Sequence, residues 1–210
     1  ATHACRVNSA AVVKIIRTRD DRGRTLTWSV PPRRVVSLVP SDTYSLTALG
    51  AVDRLVGRTD YCVEPAAALR DVPTVGGTKD VDVARVVSLS PDVVFANQEE
   101  NTRRDIERIQ NEGLTVVVAF PKTVAQGVAH LARMAVVLGL ERDRVGQLLS
   151  RDLRKRDALH DRFSSRDGDD GSGALDARLL HAFADGVADE GGFLDRAFAD
   201  HVVRERDLGE

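Results

Sequence analysis

The chain has 210 residues, 42% hydrophobic and 30% charged, which places it in the ordinary globular class and excludes wholesale disorder or a fibrous repeat. At about 150 residues per domain, this length predicts one domain or one and a fraction. With 30 basic and 32 acidic residues the net charge is −2, which argues against a general nucleic-acid coat, and no apolar run reaches the ~18 residues of a membrane-spanning helix. Residues 12–16 and 26–28 flank Asp20-Asp21-Arg22-Gly23, a turn-like cluster, and predict a short hairpin closed by Pro31-Pro32. Residues 34–39 read as a buried strand ended by Pro40. Ser41 or Asp42 then caps a helix through Leu46 and Leu49 that Gly50 terminates. Short strands follow at 55–57 and 74–75, and Asp82 caps a helix carrying Val83, Val86 and Val87. Residues 93–96 form a strand, Asn101 starts a helix stopped by Gly113, and 114–119 is a β-branched run of the kind buried on both faces. Thr123 caps a longer helix through Leu138, and a second amphipathic stretch runs over 141–159.

The alternation of strands and helix-length connections predicts an α/β fold, a parallel sheet flanked by helices. The reading divides the chain into a first α/β lobe at 12–120, a long helix with its amphipathic successor at 121–163, and a tail at 164–210. Residues 164–173 are a polar linker by composition, and 174–203 supply only short helices, with no run fit for a buried strand.

In a parallel sheet, ligands bind beyond the carboxyl ends of the strands. Those ends are Pro40-Ser41, Asp60-Tyr61, Gly77-Thr78-Lys79, Asn97-Gln98 and Phe120-Pro121, five polar or glycine-rich segments on one rim. Pro40, Ser41, Asp60, Tyr61, Gly77, Thr78, Lys79, Asn97 and Gln98 are the candidate ligand-binding residues. The bland alternative is that loops are polar because they are solvated. The glycine pair Gly76-Gly77 lacks Walker A spacing, and no Gly-x-Gly-x-x-Gly follows a strand, so nucleotide binding has no local support.

No catalytic or metal-binding residue is assigned. His3, His130, His160, His181 and His201 form no ligand pair, and no Gly-x-Ser-x-Gly elbow is present. His130 reads as an ordinary histidine on an apolar helix. Cys5 and Cys62 lie in no CxxC pair and fit one disulfide or two inert thiols. Residues 1–11 show no signal peptide or lipid anchor, as a processed or trimmed terminus would read.

The ordered series Arg34-Val35-Val36-Ser37-Leu38-Val39-Pro40-Ser41, Val56-Gly57-Arg58-Thr59-Asp60-Tyr61-Cys62, Pro73-Thr74-Val75-Gly76-Gly77-Thr78-Lys79 and Leu89-Ser90-Pro91-Asp92-Val93-Val94-Phe95-Ala96-Asn97-Gln98-Glu99-Glu100-Asn101 resembles the cobalamin-type, helical-backbone substrate-binding proteins of ABC importers over residues 18–140. Iron-siderophore binding proteins are related to these. The resemblance implies two α/β lobes joined by a rigid helix, here 123–138, with the ligand held between them and no covalently bound cofactor. It implies a non-enzymatic binding protein for cobalamin or a related corrinoid, extracytoplasmic in location, with an ABC permease and ATPase as partners. The alternatives are an iron-siderophore or haem binding protein, and a single-lobe interaction or sensor domain. Tyr61 corresponds by resemblance to an aromatic that touches the corrin ring.

Three departures stand out. Tyr44 replaces the family's usual glutamate. The permease-docking glutamate would fall near Ala84, with Asp82 as a partial stand-in. The tail predicts no second strand-rich lobe, which would make this a member truncated, frameshifted or diverged at its C-terminus.

Overall fold

The computed structural model describes residues 15–140 and 145–148. The elements in chain order are β1 (Ile16–Arg19), β2 (Thr25–Trp28), β3 (Val35–Ser37), α1 (Pro40–Ala48), β4 (Leu55–Arg58), α2 (Ala66–Leu69), α3 (Val83–Ser88), β5 (Val93–Asn97), α4 (Arg103–Asn111), β6 (Val116–Ala119) and α5 (Val124–Val137). Strands β3 to β6 form a parallel sheet in the order β4-β3-β5-β6. The chain steps from β3 to β4 on one side, then returns past β3 to add β5 on the other. That reversal puts the topological switch point, where such sheets bind ligands, between the ends of β3 and β5.

Period-two alternation divides the core between two clusters. Val35, Val93, Phe95 and Val117 face a cluster that includes Leu46, Leu49, Ala132, Met134, Ala135, Val145 and Leu148, from α1, α5 and the helical residues 145–148. Val36, Val94, Val116 and Val118 face the opposite cluster with Val83, Val86, Ile106 and Ile109, from α3 and α4. Both faces of the sheet are therefore covered, which is why its strands carry continuous apolar runs. Gly57 on β4 has no room for a side chain, since a Cβ there would lie 2.7 Å from Leu89 Cδ1.

The hairpin β1-β2 is antiparallel, as the sequence predicts, and pairs Ile16 with Trp28. Its turn closes the edge of the sheet. Asp21 N donates to Val118 O at 3.0 Å and Arg24 Nη2 to Val116 O at 2.8 Å, so edge strand β6 has part of its open ladder covered. Asp20 holds the turn by accepting from the Arg22 and Arg24 amides and from the Arg24 guanidinium.

Several local readings shift. Strand β3 ends at Ser37, and α1 starts at Pro40 with Val39 as its N-cap and no capping side chain, instead of a Ser41 or Asp42 cap. Proline tolerates the first helical position because that N–H has no helical partner to lose. The expected strand at 74–75 is reduced to one bridge between Arg58 and Thr74. Thr102, not Asn101, caps α4, accepting from Asp105 N at 3.1 Å while its hydroxyl donates to Asp105 Oδ2 at 2.7 Å. Asp82 and Thr123 do cap α3 and α5. The readings at 12–14 and on most of 141–163, as well as the whole tail at 164–210, fall outside the described residues.

Asp21 ties the hairpin to the rest of the fold. Its carboxylate accepts from Arg133 Nη2 at 2.6 Å and from Phe120 N at 2.7 Å. Burial pushes its pKa up, but the Arg133 hydrogen bond, the Phe120 amide and the positive charge of Arg133 outweigh this and hold it below 3.8. A carboxylate whose folded pKa lies below its unfolded value stabilises the fold above that value and loses the contribution as pH falls through the folded pKa. Asp21→Asn is therefore expected to lower the urea unfolding midpoint at pH 7, with the gap to the parent protein closing as pH falls below 3.8. A gap that stays constant across the acid range would refute the linkage.

Candidate functional site

The four strand ends and the Gly76–Gly77 turn place the candidate residues on the carboxyl rim of the sheet. Pro40 and Ser41 begin α1 directly beyond β3, and Asp60 and Tyr61 follow β4. Asp60 N donates to Gly76 O at 2.9 Å, which draws the Gly76–Gly77 turn against the loop after β4. Gly76 needs its φ of +89°, and a Cβ on Gly77 would lie 3.3 Å from Tyr61 Cε2 and crowd the Asp80 carboxylate. Glycine at 77 thus lets the Tyr61 ring rest against backbone. Tyr61 is 64% exposed.

Beneath this surface lies a buried hydroxyl and thiol cluster. Thr43 Oγ1 lies 2.8 Å from Ser37 Oγ and 3.0 Å from Cys62 Sγ, and Thr59 Oγ1 lies 3.1 Å from the same sulfur. Cys62 is a buried free thiol. Arg58 Nη1 donates to Cys62 O at 3.1 Å and braces the loop that presents Tyr61.

The strand ends of β3 and β5 are joined through Asn101, which is 2% exposed. Its Nδ2 donates to Leu38 O and to Thr78 O, each at 3.1 Å, and its Oδ1 accepts from Asn97 N at 2.8 Å. The orientation of the amide follows from its partners, since carbonyls only accept and a backbone N–H only donates. Asn97 Oδ1 in turn accepts from Glu99 N, and Lys79 Nζ donates to Glu99 O. The structure therefore brings Pro40, Thr78, Lys79, Asn97 and Gln98 to neighbouring ends around Asn101, and Asp60, Tyr61 and Gly77 to a second group beside them. Asp82 stands apart from both, exposed at the start of α3 with its carboxylate accepting from Arg85 N at 3.0 Å.

His130 is more than the ordinary histidine expected on α5. It is buried, with Nε2 3.1 Å from Asp42 Oδ1, and its ring meets Phe95 edge-on at 6.5 Å between centroids. Its pairing with a residue 88 positions earlier leaves no local sequence signal. Asn101 left a faint one, a second asparagine four residues after Asn97 at a strand end. Among the described residues no group of three or more His, Cys, Asp or Glu side chains is placed to hold a metal ion.

Residues 35–170, well over half of the chain, match the periplasmic binding protein family. The chain belongs to that family. The match extends further toward the C-terminus than residue 140, where the resemblance legible in the sequence stops. A vitamin B12-binding protein of Photorhabdus laumondii is 30% identical over 104 residues, which cover 50% of this chain and 38% of that protein. An uncharacterized ABC transporter substrate-binding lipoprotein of Bacillus subtilis is 33% identical over 100 residues, 47% of this chain and 31% of that one. The chain spans less than half the length of these curated relatives. Among solved structures, the heme binding protein HmuT superposes with a TM-score of 0.60 at 22% identity, over 78% of this chain and 54% of its own. That likeness is one of fold, and it is the fold of a periplasmic binding protein, a parallel sheet flanked by helices.

The charge on this family member's rim is uneven. Burial raises the Glu100 pKa above 4.5, and the negative charge of Asp42 adds to this; Lys79 opposes the shift and Glu99 reinforces it. A carboxyl group raised in this way favours the fold while protonated and loses that contribution as pH climbs through its folded pKa. Glu100→Gln is expected to melt above the parent protein at pH 7 to 8, with the difference shrinking as pH falls below 4.5. Thermal unfolding across that range checks the sign, and a variant less stable at pH 8 than at pH 4 relative to the parent would contradict it.

Proposed function

We propose that this chain is a non-enzymatic substrate-binding component of an ABC importer and that its ligand is cobalamin or a related corrinoid. The observation that carries the reading is the carboxyl rim of the sheet, where four strand ends and the Gly76–Gly77 turn open to one side and Tyr61 presents an exposed ring beside buried Gly77. An aromatic face with polar loops around it suits a broad ligand that is apolar in the middle and amide-bearing at its edge. Relatives named as vitamin B12-binding proteins support the corrinoid. The partners in this reading are an ABC permease and ATPase, with Asp82 on α3 in the docking region, and the working location is extracytoplasmic.

The candidate ligand contacts divide by chemistry. Tyr61 supplies apolar area. Ser41, Asp60, Thr78, Lys79, Asn97 and Gln98 supply hydrogen bonds to the ligand's edge, and Pro40 and Gly77 shape the surface between them. Capture needs no bond to be made or broken, so no residue here is asked to transfer a proton or attack a carbon.

Equilibrium dialysis against cyanocobalamin tests the reading, with hemin and a ferric siderophore as the competing ligands. Reversible retention of cyanocobalamin over the other two is the expected result. Replacing Tyr61 with alanine should weaken it by about 1–3 kcal/mol, the scale of losing an aromatic anchor. Retention of hemin alone would transfer the site to haem, and no retention of any of the three would leave the interaction-domain reading in its place.

A further inference from the structure

We infer that Asn101 is the positioning residue of the ligand wall, one buried carboxamide that holds three rim loops in a single arrangement. Its functional meaning rests on the binding role proposed above. The three loops are those that carry Pro40 and Ser41, Thr78 and Lys79, and Asn97 and Gln98. Each leaves the sheet from a different strand end or turn and has its own separate backbone tie, Leu38 N to Phe95 O, Asp60 N to Gly76 O and Gln98 N to Ala119 O, none of which joins all three. Asn101 reaches all three with one side chain, through Leu38 O, Thr78 O and Asn97 N.

The anchor is itself immobile. Asn101 directly precedes the Thr102 cap of α4, and α4 is seated by Ile106 and Ile109, both fully buried in the cluster beneath the sheet. Asn101 N also donates to Asn97 O at 3.0 Å, which closes the turn between β5 and α4 around the carboxamide. The other rim ties differ in kind. The Asp60–Gly76 link is backbone to backbone, and Lys79 reaches Glu99 O from an exposed side chain. Such a lysine is easily replaced by water, whereas the Asn101 carboxamide is itself buried and its bond to Leu38 O is fully enclosed.

The consequence is that the three loops meet a ligand as one surface. Loosening one frees the carbonyls or amide of the others, so substitutions at Ser41, Thr78 and Gln98 act independently only while Asn101 holds. Asparagine is required because the position needs two donors and one acceptor at the same time. Aspartate keeps the shape and the acceptor for Asn97 N but turns an oxygen toward two carbonyls.

The test compares the full chain with Asn101→Ala and Asn101→Asp, by amide hydrogen exchange and by equilibrium dialysis against cyanocobalamin, both far below the melting temperature. In Asn101→Ala, protection is expected to fall together in the loops at 38–42, 76–80 and 97–100, while β6 and α5 keep theirs. In Asn101→Asp the Asn97 amide stays protected and the first two loops loosen. Cyanocobalamin affinity should drop about tenfold or more in both, the scale of leaving a buried hydrogen-bonding group unpaired. Protection lost only at 97–100, lost evenly over the chain, or not lost at all overturns the inference. Joint loosening with unchanged affinity overturns the positioning role and leaves the binding reading intact. A parent chain that retains no cyanocobalamin while the loops still loosen together upholds the latch and overturns the ligand.

Discussion

Strand β3 is only three residues long, yet it is paired on both edges and all three of its side chains are fully enclosed. This constraint governs the chain beyond the strand. Val35 and Val36 face opposite clusters, so a slip of one residue would exchange them and turn Ser37 toward the wrong layer. The register is therefore fixed, and Leu38, Val39 and Pro40 leave the sheet from a defined point. Ser37 marks the change from apolar core to polar rim. Its hydroxyl donates to Val39 O at 3.1 Å and meets Thr43, which begins the hydroxyl cluster that ends at Cys62. In this way the central strand sets the position of α1 and, through Cys62, of the Tyr61 loop.

Helix α5 is held to this layer by two kinds of contact. Its apolar side fills the upper cluster with Ala132, Met134, Ala135 and Leu138, which supplies the bulk of the attachment. Its polar residues give that attachment a register. His130 meets Asp42 on α1, and three positions later Arg133 meets Asp21 in the hairpin turn. Asp42, His130 and Arg133 are buried while Asp21 is partly exposed, so separating the pairs would strand three buried polar groups, a larger penalty than the pairs gain by forming. Sliding α5 along the sheet would break both at once. Part of the cost of burial is visible at rest, because Asp42 Oδ2, His130 Nδ1 and two of the Arg133 nitrogens have no hydrogen-bond partner among the described residues.

How much of the fold could be read in advance depends on how local each cause is. Strands β5 and β6 were legible because burial on both faces demands an unbroken apolar run, and Val93-Val94-Phe95-Ala96 and Val116-Val117-Val118 supply one. The caps at Asp82 and Thr123 were legible because a capping side chain acts within three residues. The cap of α1 was not, since Pro40 makes the helix begin without one, and the cap of α4 was misplaced by one residue because Asn101 and Thr102 are both good caps by type. Packing and long-range hydrogen bonds decided between them, as Asn101 is drawn to Leu38 and Thr78, 63 and 23 positions away. The rim as a whole was legible from the parallel order of the strands. The Asp42–His130 pair and the Asn101 latch were not, because a buried polar residue has no periodicity to betray it.

The charge distribution on the rim bears on which chelate the proposed function would select. Asp60, Asp80 and Glu99 are exposed carboxylates, and Glu100 is half-buried, its pKa raised by burial and then by the negative charge of Asp42. Lys79 and Lys122 are exposed cations on the same rim, and the Lys79 ammonium donates to Glu99 O. Exposed charges are screened within about 8 Å at physiological salt, so Asp60 and Asp80 have little reach. Glu100 matters more, since a charge placed beside a carboxylate set back from solvent is shielded less. A chelate that brings its own carboxylates, as haem does with its propionates, would add like charge at this place. Under the proposed reading, a corrinoid edged with neutral amides instead offers N–H donors to the exposed Asp60, Asp80 and Glu99 oxygens. Under the proposed corrinoid reading, the Tyr61 face covers a broad apolar ring while the exposed Asp60, Asp80 and Glu99 carboxylates accept from its amide edge.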